Sequence, residues 1–172
     1  MNLPKMITHD TLTPAEQTFD LFGVLLTFLV TPDQADGQVT LFKGTIPPGA
    51  VIPLHSHAEP EVLYVLEGTL ELYRESNADQ QWSTVAAAGG VAIPGNEKHA
   101  LRNTSAIPMT TILVAQSEIY KFFREIAKPF RANRLPAQPS PEDMQHLFAA
   151  AAKYHYWMGS PEENAKIGIF LG

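Results

Sequence analysis

The chain has 172 residues, 45% of them hydrophobic, a formal charge of −6 and no cysteine. That length fits one domain with material for a core. The acidic balance argues against a nucleic-acid or anionic-membrane surface, and the lack of cysteine excludes disulfides and thiolate ligands. The sequence has no basic tract, signal-peptide pattern or long apolar segment, so a cytoplasmic protein working away from membranes is expected.

Residues 1–18 have weak periodicity and read as an N-terminal arm able to add an edge strand in an oligomer. FDLFGVLLTFLV, residues 19–30, is too apolar to alternate cleanly and reads as a strand buried on both faces, with a short core helix as the alternative. After the loop TPDQADGQ, strand candidates follow at 39–46, 61–68, 69–75, 80–85, 90–94, 99–105 and 109–116. Many short strands between glycine, proline and polar turns predict a sandwich or barrel over residues 19–116. Gly49 in PPGA delivers the chain into a histidine-bearing strand, and Gly68 in LEGTLEL reads as a tight turn pairing the strands on either side of it.

The pattern changes at residue 117, where a C-terminal helical extension, 117–172, begins. Ile119, Phe122, Phe123 and Ile126 recur at helical intervals, and Pro129 limits that helix. Ser140 and Pro141 start a second helix whose buried stripe is expected at Met144, Leu147, Phe148 and Ala151. SPEENAKIGIF resembles another short helix start. The extension either caps one end of the strand-rich centre or encloses a substrate, with the aromatic run YHYW shaping the mouth of an apolar cavity. His146 and His155 are not spaced for one metal pair, and Glu59 is placed at the rim.

The chemistry concentrates in His55, His57, Glu61 and His99. His55 and His57, two residues apart, project from the same face of an extended strand, and imidazole nitrogen suits Fe, Ni, Mn, Cu, Co or Zn. The proline-bearing AEP segment breaks the strand before Glu61, so that its carboxylate returns to the same interior site, and PGNEK turns the chain back to supply His99. Four such ligands leave one or two positions open for water, dioxygen or substrate. No phosphate loop, dinucleotide fingerprint or HExxH helix is present in the sequence.

GAVIPLHSHAEPEVLYVLEG resembles the first signature of the cupin family at Gly49, His55, His57, Glu61 and Gly68. AGGVAIPGNEKHALRN resembles the second at Pro94, His99 and Asn103, departing where the family's glycines fall on Ala88 and Asn96. The resemblance implies a mainly β fold, the cupin double-stranded β-helix or jelly-roll barrel, with C-terminal helices added. It implies a divalent metal held by His55, His57, Glu61 and His99, with Glu61 also a candidate base, and a homodimer. By similarity to quercetinase-like cupins, the first functional expectation is an oxygenase, a dioxygenase acting on a small enolic or phenolic substrate. The alternatives are a metal-dependent isomerase or cyclase and a noncatalytic small-molecule sensor or binding protein.

Overall fold

The computed structural model describes residues 18–77, 82–131 and 139–171, so the expected arm lies, apart from Thr18, outside the described residues. Two antiparallel sheets are formed by strands numbered in chain order. One runs β11 (Lys128–Pro129), β1 (Thr18–Leu21), β2 (Val24–Val30), β3 (Thr40–Ile46), β10 (Met109–Ala115), β5 (Glu61–Glu67) and β8 (Gly90–Ile93). The other runs β12 (Trp157–Met158), β4 (Val51–Ser56), β9 (His99–Arg102), β6 (Thr69–Arg74) and β7 (Ser83–Ala86). Helices α1 (Ser117–Ile126), α2 (Pro141–Lys153) and α3 (Pro161–Lys166) follow the main strand run.

The closed barrel expected from the sequence is corrected by this topology. Neither sheet closes on itself: the described residues leave edge strands β11 and β8 on one sheet and β12 and β7 on the other. The physical reason lies where the chain changes layer instead of extending a ladder. Gly68 does not turn a hairpin, because β5 and β6 belong to different sheets. Its φ of +80° carries the chain across, and an added Cβ would lie 3.1 Å from Met109 Cα, so backbone freedom and close packing both require glycine there.

The apolar run at 19–30 is likewise two strands. Phe22 and Gly23 take φ values of +53° and +93°, and Asp20 Oδ1 accepts the Gly23 N–H at 2.7 Å, closing the β1–β2 hairpin. Alternation of period 2 is clear in β5, which buries Glu61, Leu63 and Val65 while Val62, Tyr64 and Leu66 face outward.

Phe42, Val65, Leu70, Leu72, Ile93 and Met109 belong to the main core, which includes side chains from both sheets. At one end of this core, Phe28 meets Phe19 and Phe42 edge-on at 4.9 and 5.2 Å, and Phe123 of α1 meets Phe42 at 5.3 Å. The expected apolar face of α1 is realised, with Ile119, Phe122 and Ile126 buried. In α2 the buried positions are Ala150 and Ala151; Phe148, expected in the stripe, is 54% exposed. Only small alanines let α2 approach Phe122 and Ile126 closely there. Among the described residues no helix is long and apolar enough to cross a membrane.

Candidate metal centre and cavity

Strand pairing brings the histidines together. His55 on β4 lies directly opposite His99 on β9, with ring centroids 4.2 Å apart. His57 follows β4 and is 5.2 Å from the His99 ring, while Glu61 opens β5 in the facing sheet. One ligand atom from each of His55, His57 and His99 lies within 4.8 Å of the others, a cluster able to hold a metal ion.

Backbone carbonyls orient all three rings. Nδ1 of His55, His57 and His99 lies 2.7, 2.7 and 2.8 Å from the carbonyls of Pro53, Glu59 and Glu97. A carbonyl only accepts, so each Nδ1 carries the proton and donates it, which leaves Nε2 as the lone-pair atom of each neutral ring. His99 Nε2 is shut away from solvent without a hydrogen-bond partner. Three fixed imidazoles with free Nε2 atoms, one of them buried and orphaned, are the donor set that a divalent ion of the Fe, Ni, Mn, Co or Zn type takes, so the residues fit such an ion.

Glu61 stands beside the trio. Its Oε1 is 3.2 Å from His99 Nε2 and its Oε2 is 3.7 Å from His57 Nε2. Burial alone would raise its pKa, but the two imidazoles hold the carboxyl well below the usual carboxylate range. Burial acts to lower His99, yet the adjacent Glu61 carboxylate leaves it raised. His55 is pushed down to about 3, first by burial and then by the charge of His99, and is therefore neutral near pH 7.

Left-handed residues in three turns flank these elements. Asn96 takes φ +63°, the left-handed conformation that asparagine tolerates, and its N–H donates to the His57 carbonyl at 2.7 Å. Ala88, where the family pattern has glycine, takes φ +65°. Gly49 takes φ +75°, and Asn103 donates through Nδ2 to the carbonyls of Ile46 and Ile107. Glu59 is occupied: its carboxylate oxygens each accept, at 3.0 Å, the N–H groups of Glu118 and Ile119, capping α1.

The cluster opens into a cavity of about 170 Å³. Its walls include Leu26, Ile52, Leu63 and Leu113 from the sheets, and Phe122, Phe123, Ile126, Leu147, Tyr156 and Met158 from the C-terminal extension. Sequence reasoning assigned Tyr156 no individual role. Its ring stacks on Phe122 at 4.0 Å and lies 5.0 Å from the His57 ring. The hydroxyl is buried without a hydrogen-bond partner, and burial with the charges of Glu61 and Glu59 pushes its pKa well up. The aromatic run YHYW was the sole signal available. His146 and His155 are exposed and stand apart from the cluster.

Residues 42–115, which include the three-histidine cluster, match the model of the cupin domain family. No curated protein matches. Among solved structures, the chain is similar to a predicted oxalate decarboxylase from Thermotoga maritima, with 19% identity and TM-score 0.52, covering 60% of this chain and 96% of that one. It is also similar to the DMSP lyase DddQ from Ruegeria pomeroyi, with 20% identity and TM-score 0.42, covering 46% of this chain and 39% of that one. A sugar phosphate isomerase of the cupin superfamily from Silicibacter pomeroyi has 24% identity and TM-score 0.46, covering 55% of this chain and 59% of that one. The chain thus spans less than two thirds of the length of the latter two. The expectation of an oxidoreductase of dioxygenase type is corrected here. The family match reaches the cupin domain over residues 42–115 and singles out no quercetinase-like group.

Proposed function

We propose, from the premise of a cupin domain built around three convergent histidines, that the chain is a metal-dependent isomerase that moves a proton on a small carbonyl or hydroxy compound. The observation carrying this reading is Glu61: a buried carboxylate on the cavity wall, 3.2 Å from His99 Nε2. His55, His57 and His99 would hold a divalent ion, which supplies Lewis-acid polarisation of a substrate oxygen when bound. Glu61 accepts the proton from the hydroxyl-bearing carbon next to the substrate carbonyl and returns it to the former carbonyl carbon, while the hydroxyl proton passes to the former carbonyl oxygen, so that carbonyl and alcohol exchange places. The apolar wall lowers the polarity around the carboxylate, which strengthens its interaction with a substrate proton. Glu61 would also be available as a fourth donor to such an ion, and one substitution separates the two roles.

The test loads the purified chain with Mn²⁺ and follows carbon-bound hydrogen exchange with D₂O over a panel of small hydroxy ketones, with oxygen uptake measured in parallel. Metal-dependent exchange without oxygen consumption is expected, and Glu61→Gln should keep the ion but lower exchange by about a hundredfold or more. Oxygen consumption in step with turnover would overturn the isomerase reading. Loss of Mn²⁺ from Glu61→Gln would reassign Glu61 as a ligand.

A further inference from the structure

The cavity's polar and apolar parts are sharply divided. His55, His57, Glu61 and Tyr156 gather in one region, with Thr111 the other side chain that offers a hydroxyl; the other walls are aliphatic or aromatic side chains with Gly44 and Pro53. No lysine or arginine lines the cavity among the described residues. A phosphate or second carboxylate on the far part of a ligand would thus be desolvated without a counter-charge, at a cost no apolar contact offsets. The volume, about 170 Å³, exceeds the roughly 150 Å³ that accommodates a benzene ring.

Tyr156 supplies the remaining feature. Its hydroxyl is out of solvent contact and unpartnered, while stacking on Phe122 and contact with His57 fix the ring. A buried donor held in place without an acceptor is costly unless a bound molecule provides one. The residue lies beyond residues 42–115, in the segment that leads into β12, and the pairing of Met158 with His55 ties that segment to the histidine strand.

We infer that this cavity selects a small molecule with an oxygen-bearing head and an uncharged alkyl or aryl body, and that Tyr156 Oη donates a hydrogen bond to the head. This rests on the proposed metal site and names the substrate class for it. Tyr156 is a specificity-determining residue supplied by the C-terminal extension, and the body lies among Phe122, Phe123, Ile126 and Met158.

The experiment uses the full chain loaded with Co²⁺, whose visible absorption reports ligands entering the site. Three probes are titrated: acetohydroxamate, benzohydroxamate with the same head and a phenyl body, and phosphoglycolate with a charged tail. Benzohydroxamate should bind at least about tenfold more tightly than acetohydroxamate, and phosphoglycolate most weakly. Tyr156→Phe, which removes only the hydroxyl, should weaken both hydroxamates by about five- to tenfold and leave Co²⁺ affinity unchanged. Equal binding of the two hydroxamates, preference for phosphoglycolate, or unaltered hydroxamate binding by Tyr156→Phe would each overturn the inference while leaving the metal site standing. Failure of Co²⁺ to bind would remove both, and Co²⁺ binding with the expected probe order but no proton exchange would sustain the inference and reject the isomerase.

Discussion

Asn164 Oδ1 accepts the backbone N–H of Leu54 at 2.9 Å, joining the C-terminal α3 to the strand that carries His55. The same side chain donates to the carbonyls of Gly159 and Ser160 at 3.0 Å, and the residue is fully buried. Asn164→Ala leaves the Leu54 N–H without this acceptor. A loss of about 1–3 kcal/mol in unfolding free energy is expected from urea titration, and an unchanged midpoint would show that water replaces the amide.

Glu59 joins the metal centre to α1 in a different way. Its carbonyl takes the His57 proton while its carboxylate caps Glu118 and Ile119. Glu59→Ala removes only the cap, so it should cost about 0.5–2 kcal/mol and speed amide exchange at Glu118 and Ile119 with metal affinity retained. A large loss of affinity would mean that the loop cannot hold its path without the helix.

Gly95 permits the closest approach in the site. A Cβ there would fall 2.1 Å from the Ala58 carbonyl oxygen, between the turn leading to His99 and the loop after His57. Gly95→Ala must part those two segments, with a cost of about 1–3 kcal/mol and weaker metal binding by isothermal calorimetry. Normal affinity in this variant would mean the segments separate without disturbing the rings.

The metal-free chain is expected to be acid-labile. His55 titrates at 6.5 when unfolded and at about 3 when folded, so between those values the unfolded chain binds more protons and stability falls as pH drops. The limiting slope from this one group is about 1.4 kcal/mol per pH unit. Glu61 adds to the loss below 4.5, because its depressed folded value gives stability that is present above the unfolded pKa and lost on acidification. His99 runs the other way: its raised value gives stability present below 6.5 and lost as pH rises through the folded value. Urea unfolding in chelator at about pH 7, 5.5 and 4 reads the sum, and His55→Gln should flatten the curve. A wild-type profile already flat over that range would contradict the assignment.

The histidine cluster was legible because its signal is local: two histidines two residues apart at the end of β4 and a turn returning a third need no knowledge of distant packing. Most strands were legible from alternation for the same reason. The β1–β2 hairpin was hidden because Leu21, Phe22, Val24, Leu25 and Leu26 leave no polar phase to mark the turn. Gly68 announced a bend but not which sheet the next strand would join, since that choice depends on β10 and β9, whose strands lie much later in the chain. Tyr156 was unreadable as a wall of the site because its position depends on β12 pairing with a strand about 100 residues earlier, and on His155 turning the chain with φ +58°.

The three carbonyls that receive the imidazole protons belong to the main chain, at Pro53, Glu59 and Glu97. The aim of each ring is therefore written into the path of the polypeptide and not into the identity of any supporting side chain. The side chains of Pro53, Glu59 and Glu97 can change while the path is kept, whereas a shift of the path at any one of these carbonyls would mis-aim the ring it holds.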